Sequence, residues 1–141
     1  MTRPLIEQFK HTYSDMTAMD FGRLDELYGP DVIFKDPVHE IRGLVNLQDY
    51  FIDMCSHIDE CRFEFLDILD AERSAYIKWM MHFRHPKLAG GKLLTLRGMS
   101  HLEFDERITF HEDAYDLGAM VYEWVPVIGL ATRFIKKQIA S

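Results

Sequence analysis

A run of four strand-like segments between Cys61 and about Leu117 limits the folds that are open to this chain. The segments read RFEFLDIL, SAYIKWMMHFRH, GKLLTLRGMSHLEF and RITFHEDAYDL, and the intervening DAER, PKLAGG and DE are typical of turns or loops. Consecutive strands with such short connections pair in antiparallel fashion. The sequence therefore predicts a four-stranded antiparallel meander, and a sheet of this kind must bury one face against another layer.

Helix-forming segments precede the predicted meander. Apolar residues at helical spacing predict a first helix that begins near Pro4. They also predict a short second helix after Asp20, which Gly29-Pro30 ends. The strand-forming stretch DVIF then runs into Asp36-Pro37, and another segment with helical spacing follows it.

Together these elements predict the α+β fold class, with a curved antiparallel sheet wrapped around the N-terminal helices. The segment LGAMVYEWVPVIGLATRFIKKQIA adds a C-terminal helix, because it has helical spacing with a break at Pro126. A chain of 141 residues buries about 68–70% of its unfolded surface, which is enough for a core without cross-links. We therefore expect residues 1–141 to form one domain.

Composition and charge argue against several classes of function. A net charge of −7 does not provide the clustered positive surface that nucleic acids require. The sequence has neither an apolar leader nor an apolar run of the roughly 18 residues that a membrane span needs. We expect Cys55 and Cys61 to be free thiols of a cytoplasmic protein. No CxxC motif or closely spaced histidine pair on a helix indicates a metal, so we expect no metal and no cofactor.

The predicted strand SAYIKWMMHFR has two different faces, because side chains alternate along a strand. One face is apolar and is assigned to the interior: Ile77, Trp79, Met81 and Phe83. The other face mixes polar side chains with Tyr76 and Met80. We expect this mixed face to form a homodimer through the sheet.

Two stretches of the sequence are similar to a known family. The order of elements, together with YGPDVIFKDPVHEIRG and ITFHEDAYD, resembles the nuclear-transport-factor-two-like superfamily and its SnoaL-like branch. The resemblance runs over nearly the whole chain. It implies a cone-shaped α+β barrel whose open end holds an apolar pocket, usually in a homodimer. The superfamily includes steroid isomerases, polyketide cyclases, epoxide hydrolases, dehydratases and non-catalytic binding proteins, so the fold does not define the reaction.

Asp36, in FKDPVH, is the first candidate for a catalytic base. By resemblance it matches the general-base aspartate in the DPVG-type segment of ketosteroid isomerases. The hydrogen-bonding aspartate of those enzymes is replaced here by Ser100, and Phe9 and Tyr13 are the nearest counterparts of their first-helix tyrosine. An aspartate before proline is also a common turn starter, so the spacing alone leaves both roles open.

Asp113, in HEDAYD, is the second candidate. By resemblance it matches the water-activating aspartate of limonene-type epoxide hydrolases. The arginine and aspartate of those enzymes correspond here to Trp79 and Met81, so epoxide hydrolysis by that mechanism is not expected. Alternation places four polar side chains on one strand face: Thr109, His111, Asp113 and Tyr115. His111 would then orient Asp113 or relay a proton, although the same pattern fits an exposed polar face.

The remaining candidates are expected to line a substrate pocket around these carboxylates. They come from the predicted helices, the strands and the turn after Asp36: Phe9, Tyr13, Phe34, His39, Trp79, Met81, Phe83, Ser100 and Tyr115. Apolar surroundings disfavour the charged form of a carboxylate and make it a more effective base. Two aspartates that both point inward would repel each other and supply an acid and a base in one pocket. The apolar members fit a packed core equally well.

The sequence thus predicts a cofactor-independent protein that binds a small apolar molecule, such as a polyketide-, terpenoid-, steroid- or lipid-like compound. Asp36, or alternatively Asp113, would transfer a proton during an isomerisation, cyclisation or dehydration. Two alternatives stay open. One is a non-catalytic ligand-binding or protein-interaction module of the same fold, and the other is a sheet-mediated structural subunit of a larger enzyme.

Overall fold

The computed structural model describes residues 3–120 and 126–140. This part of the chain contains four α-helices: α1 (Pro4–Ser14), α2 (Leu44–Ser56), α3 (Leu117–Met120) and α4 (Pro126–Ala140). Short 3-10 helices span Met16–Ala18, Phe21–Glu26 and Ala89–Gly91. The strands are β1 (Tyr28–Lys35), β2 (Glu40–Arg42), β3 (Glu60–Asp70), β4 (Ser74–Arg84), β5 (Leu94–Phe104) and β6 (Ile108–Tyr115).

The strands form one curved, open sheet in the order β2-β1-β6-β5-β4-β3. Strands β3 to β6 form the antiparallel meander that the sequence predicted, and the α+β fold class is confirmed. In contrast, β1 pairs with β6 in parallel. A parallel pair requires a long crossover connection, and the chain from β2 to β5 supplies it. The sequence did not indicate β2, a three-residue strand antiparallel to β1.

The segment between α1 and β1 differs in one detail from the sequence prediction. The short second helix is a 3-10 helix that ends at Glu26, whereas Gly29 and Pro30 lie inside β1. The pairing of β1 with β6 shifts register between Tyr28 and Ile33. Proline lacks the N–H group that a regular ladder uses, so it is tolerated at this irregularity.

The helices and one face of the sheet enclose the core. Helix α1 buries Ile6, Phe9 and Tyr13, and α2 buries Leu47 and Phe51. Alternation along β4 buries Ile77, Trp79 and Phe83 of the predicted inner face, and Met81 of the same face is half-buried and lines the cavity described below. The assignment of this face to the interior is therefore confirmed.

The outer face of the sheet carries exposed apolar side chains. Leu69, Tyr76 and Met99 are 72%, 45% and 43% exposed. Tyr76 lies opposite His101 in the β4–β5 pair, and the two rings stack with their centroids 4.5 Å apart. This is the mixed face that the sequence indicated as a dimer surface, and dimer formation stays a prediction.

Both cysteines are free thiols, as the sequence indicated. Burial is the main cause that raises the pKa of the Cys61 thiol to about 12. Within residues 3–120 and 126–140, no helix is both long and apolar enough to cross a membrane.

Candidate functional site

A cavity of about 90 Å³ lies between the sheet and helices α1 and α2. Seven aromatic side chains, three methionines and two aspartates line it: Tyr13, Met16, Phe34, Asp36, Tyr50, Phe51, Met54, Phe63, Trp79, Met81, Asp113 and Tyr115. An adjoining void of about 10 Å³ shares four of these residues and is also lined by Phe9, Phe65, Ser100 and His111. Both aspartates that the sequence singled out thus line the same cavity.

Asp113 is held through one of its two carboxylate oxygens. Its Oδ1 accepts a hydrogen bond of 2.5 Å from Ser100 Oγ and one of 2.7 Å from His111 Nε2. Ser100 lies directly opposite Asp113 in the β5–β6 pair, and His111 precedes it by two residues on β6. Asp113 Oδ2 has no hydrogen bond to a described residue, which leaves this oxygen available to a bound molecule.

His111 connects Asp113 to two buried tyrosines. Its side chain is 1% exposed, and its Nδ1 lies 2.8 Å from Tyr28 Oη, which lies 2.5 Å from Tyr13 Oη. Because a carboxylate only accepts, Nε2 carries the proton of the bond to Asp113. With a neutral imidazole, Tyr28 donates to Nδ1 and Tyr13 donates to Tyr28. Every donor in this series of hydrogen bonds then points toward Asp113.

Trp79 and Gly98 support the other donor to Asp113. Trp79 Nε1 donates to Ser100 Oγ at 2.9 Å, and the serine hydroxyl in turn donates to Asp113. Gly98 faces Trp79 in the β4–β5 pair, and a Cβ atom at position 98 would lie 2.2 Å from Trp79 Cη2. The indole therefore occupies space that only glycine leaves open.

Asp36 lies in the turn between β1 and β2, and its side chain is only 3% exposed. Its Oδ1 accepts from the backbone N–H groups of Val38 at 2.8 Å and His39 at 2.7 Å. Tyr50 Oη donates to Oδ2 at 3.0 Å, and His39 Nδ1 lies 3.1 Å from Oδ1. Asp36 therefore stabilises the turn and also lines the cavity, so both arrangements that the sequence left open are present.

The tyrosine hydroxyls around the cavity stay protonated. Burial, followed by the negative charge of Asp36, raises the pKa of Tyr50 and of Tyr115. Burial is also the largest cause that raises the pKa of Tyr13 and of Tyr28. The Tyr115 hydroxyl makes no hydrogen bond within the described ranges, so it is available as a donor to a bound molecule.

Most of the residues predicted from the sequence come together in this region. Ten of them line the cavity or the adjoining void: Phe9, Tyr13, Phe34, Asp36, Trp79, Met81, Ser100, His111, Asp113 and Tyr115. His39 is 45% exposed and lies outside, with its ring centroid 4.9 Å from that of Tyr50. Phe83 is a buried core residue and is not part of the described lining of either space.

Thr109 does not share the inward position of His111. It is exposed, although alternation along β6 placed the two side chains on one face. The β5–β6 pairing shifts register between Glu103 and Phe104, where Phe104 pairs with Ile108 and Glu103 with Phe110. One extra residue on β6 interrupts the alternation at this bulge.

Sequence reasoning missed two tyrosines that bond to the candidate carboxylates or their partners. Tyr28 and Tyr50 occur at positions that the sequence assigned to the apolar sides of helices. Their hydroxyl groups reach His111 and Asp36. The available signal was weak, because a buried tyrosine is found in many cores without any role beyond packing.

Among the described residues, no group of three or more histidine, cysteine, aspartate or glutamate side chains could hold a metal ion. At the cavity, the histidine–aspartate pairs are His39 with Asp36 and His111 with Asp113.

Comparisons with known proteins identify the family and the fold. A sequence profile of the SnoaL-like domain matches residues 9–111. No curated protein sequence matches the chain significantly. A solved Catenulispora acidiphila protein with a ketosteroid isomerase-like fold, in complex with trimethylamine, is 14% identical. The alignment covers 89% of this chain and 95% of that one, with a TM-score of 0.75.

Two further solved structures are similar. A Shewanella putrefaciens protein proposed to be a SnoaL-like polyketide cyclase is 20% identical over 85% of this chain and 95% of that one, with a TM-score of 0.71. TerC, co-crystallised with polyporic acid, is 17% identical over 84% of this chain and 95% of that one, with a TM-score of 0.69. At these identities the likeness shows the fold alone.

Proposed function

The chain belongs to the SnoaL-like domain family, and we propose that it binds a small, largely apolar molecule in the cavity and transfers a proton on it. Asp113 serves as the base. One observation supports this most: two donors fix Oδ1 of Asp113, while Oδ2 is unbonded within the described residues. Structures of this fold with trimethylamine and polyporic acid also support a small-molecule ligand.

The proposed reaction begins at a ligand carbon next to a carbonyl group. Asp113 Oδ2 takes a proton from this carbon, and the C–H electron pair moves to give an enolate. Tyr115 donates a hydrogen bond to the enolate oxygen, where negative charge develops. In an isomerisation the proton returns to a different carbon. In a dehydration the enolate expels a hydroxyl group, which leaves as water with the proton that Asp113 holds.

His111 and Ser100 position Asp113 for this step. Their hydrogen bonds of 2.7 and 2.5 Å fix the carboxylate in one orientation. His111 can also share the proton, because an imidazolium donates from both ring nitrogens. Tyr28 would then accept at its oxygen and turn its own O–H group toward Tyr13, whose hydroxyl hydrogen would turn away from Tyr28.

Asp36 has a positioning role in this proposal, although the sequence ranked it as the first candidate base. Both of its oxygens accept hydrogen bonds, and two of the donors are backbone N–H groups of its own turn. His39 Nδ1 also lies 3.3 Å from Oδ2, so Asp36, unlike Asp113, has no carboxylate oxygen without a hydrogen-bond partner among the described residues. Asp36 fixes the orientation of Tyr50 at the cavity wall instead.

The cavity volume restricts the ligand and supports a second candidate function. About 90 Å³ is well below the roughly 300–1,000 Å³ of typical small-molecule sites. The ligand is therefore smaller than a steroid. A cavity of this size also suits a non-catalytic module that senses a small molecule, and this role is the alternative to catalysis.

Proton exchange tests the proposal. Small ketones are incubated in heavy water with the protein, and loss of the proton signal next to the carbonyl group is followed by NMR. We expect exchange with wild type, and a decrease of about 100-fold or more in Asp113→Asn, because a general base contributes about 10²–10⁴ in rate. Glu112→Gln is the matched control, since this neighbouring carboxylate on β6 is exposed and its exchange rate should equal that of wild type.

The possible results separate the two candidate functions. Equal exchange rates for wild type and Asp113→Asn would contradict the role of Asp113. Native mass spectrometry of the purified protein provides the second measurement. A retained small molecule in the absence of any exchange would support the non-catalytic binding module and contradict the proposed proton transfer.

A further inference from the structure

We propose that the cavity binds the ammonium group of a small organic cation, such as a protonated alkylamine or a quaternary ammonium compound. This inference rests on the proposed function, because it takes the same cavity as the ligand site. It adds the chemical class of the ligand, an apolar body with a positive head group.

The first observation concerns charge. The side chains of Asp36 and Asp113 are 3% and 16% exposed, and both line the cavity. Their ion-pair partners within the described residues are histidines, His39 and His111. A buried carboxylate is normally balanced by a positive group, because its desolvation is otherwise expensive.

Within the described part of the chain, no lysine or arginine of the cavity wall supplies this balance. Lysine and arginine do not occur among the described residues that line the cavity. The sequence of residues 119–132, AMVYEWVPVIGLAT, also contains no lysine, arginine or histidine. Histidine balances a carboxylate charge only in its protonated form, whereas a quaternary ammonium group carries a permanent positive charge. A ligand cation would therefore complete the charge balance of the cavity.

The second observation concerns the wall. Seven of the twelve lining residues are aromatic, and three more are methionines. The rings stand at steep angles to one another, for example 82° between Phe34 and Phe51 and 77° between Phe63 and Trp79. Aromatic faces attract ammonium groups, and tryptophan and tyrosine do so most strongly. Angled rings beside carboxylates are the surroundings in which alkylammonium groups bind.

The negative charge of the two carboxylates acts on the hydroxyl groups of Tyr50 and Tyr115, on the cavity wall. After burial, the charge of Asp36 raises the pKa of Tyr50 and of Tyr115, and the charge of Asp113 adds to both shifts. Negative potential at these hydroxyls favours a cation in the same space and disfavours an anion. The volume of about 90 Å³ limits the bound part to a compact group.

An isosteric pair of probes tests the inference by isothermal titration calorimetry. Choline carries a trimethylammonium group, and its neutral isostere dimethylbutanol carries a tert-butyl group of nearly the same shape in its place. We expect choline to bind at least about tenfold more tightly, since a desolvated cation–π contact with a nearby carboxylate exceeds the roughly 1.4 kcal/mol that a factor of ten requires. Equal affinities, or tighter binding of dimethylbutanol, would overturn the inference and leave the proposed apolar ligand site intact. Binding of neither probe would also overturn the inference, whereas the proposed proton transfer is tested separately by the exchange assay with small ketones.

Variants show whether the preference arises from the cavity carboxylates. Asp36→Asn keeps an oxygen that can accept from the turn N–H groups, and it should reduce the preference for choline by about fivefold or more. Asp49→Asn is the matched control, because this exposed carboxylate on α2 precedes Tyr50 and is not among the lining residues. Its preference should equal that of wild type. An equal loss of the preference for choline in both variants would indicate a general charge effect and contradict an ammonium site in this cavity.

Discussion

Replacing Gly98 with alanine tests how closely Trp79 is packed beside the cavity. A Cβ atom at position 98 would lie 2.2, 2.5 and 2.6 Å from three atoms of the Trp79 ring. Real Cβ atoms do not approach other atoms so closely, and the indole is only 1% exposed. The ring must therefore shift within a packed core, which costs about 1–3 kcal/mol.

The same shift removes a hydrogen bond. The bond of 2.9 Å between Trp79 Nε1 and Ser100 Oγ contributes about 0.5–1.5 kcal/mol. We therefore expect Gly98→Ala to lower the free energy of unfolding by about 1.5–4.5 kcal/mol in all. For a chain of this length the melting temperature then falls by roughly 5–15 °C.

Urea unfolding followed by circular dichroism measures this loss, with Gly29→Ala as the matched control. A Cβ atom at position 29 would lie 3.7 Å from its nearest neighbour, the carbonyl oxygen of Ile108, which is an ordinary contact. That variant should stay within about 0.5 kcal/mol of wild type. In a Trp79→Leu background the cost of Gly98→Ala should shrink, because the ring is gone. If Gly98→Ala is as stable as Gly29→Ala, or costs the same in both backgrounds, this explanation of Gly98 is wrong.

Three other outcomes are expected. Tyr28→Phe removes the donor to the buried Nδ1 of His111 and should lower the free energy of unfolding, measured by urea unfolding, by about 1–3 kcal/mol. An unchanged free energy would contradict the hydrogen bond between Tyr28 and His111. Burial raises the pKa of Cys61 from 9.0 to about 12, so the thiol keeps its proton to a higher pH in the folded state than in the unfolded state. Stability from this group is present below pH 9 and is lost as the pH rises toward 12, and Cys61→Ala should lose less stability between pH 8 and pH 11 in parallel urea titrations. Met99→Glu places a charge on the outer face of the sheet and should convert the predicted homodimer to a monomer in sedimentation velocity, whereas a monomeric wild type would show that the dimer prediction is wrong.

Part of the fold could be predicted because local patterns specify it. The inward positions of β4, including Ile77 and Trp79, follow from the period of two in a strand. The turns between β3, β4, β5 and β6 were marked by short polar or glycine-rich segments. The parallel pairing of β1 with β6 was not predicted, because the paired residues lie about 80 positions apart and their pairing depends on tertiary packing.

The candidate site shows the same division. The sequence indicated Asp36, Asp113 and His111 as residues of interest, through resemblance and spacing. It did not indicate that Asp36 has both oxygens bonded while Asp113 has one. Whether a side-chain hydrogen bond forms depends on atom positions to within a few tenths of an ångström, and no residue pattern carries that information.

Local sequence was sufficient to predict most of the helices and strands, the inner face of the meander and the acidic character of the chain. These features follow from periodicity and composition, which each short segment carries alone. The hydrogen bonds from β4, β5 and β6 that lead to Asp113, with α1 and β1 behind His111, result from tertiary packing. A buried polar group needs a hydrogen-bond partner, and packing determines which strands and helices can offer one.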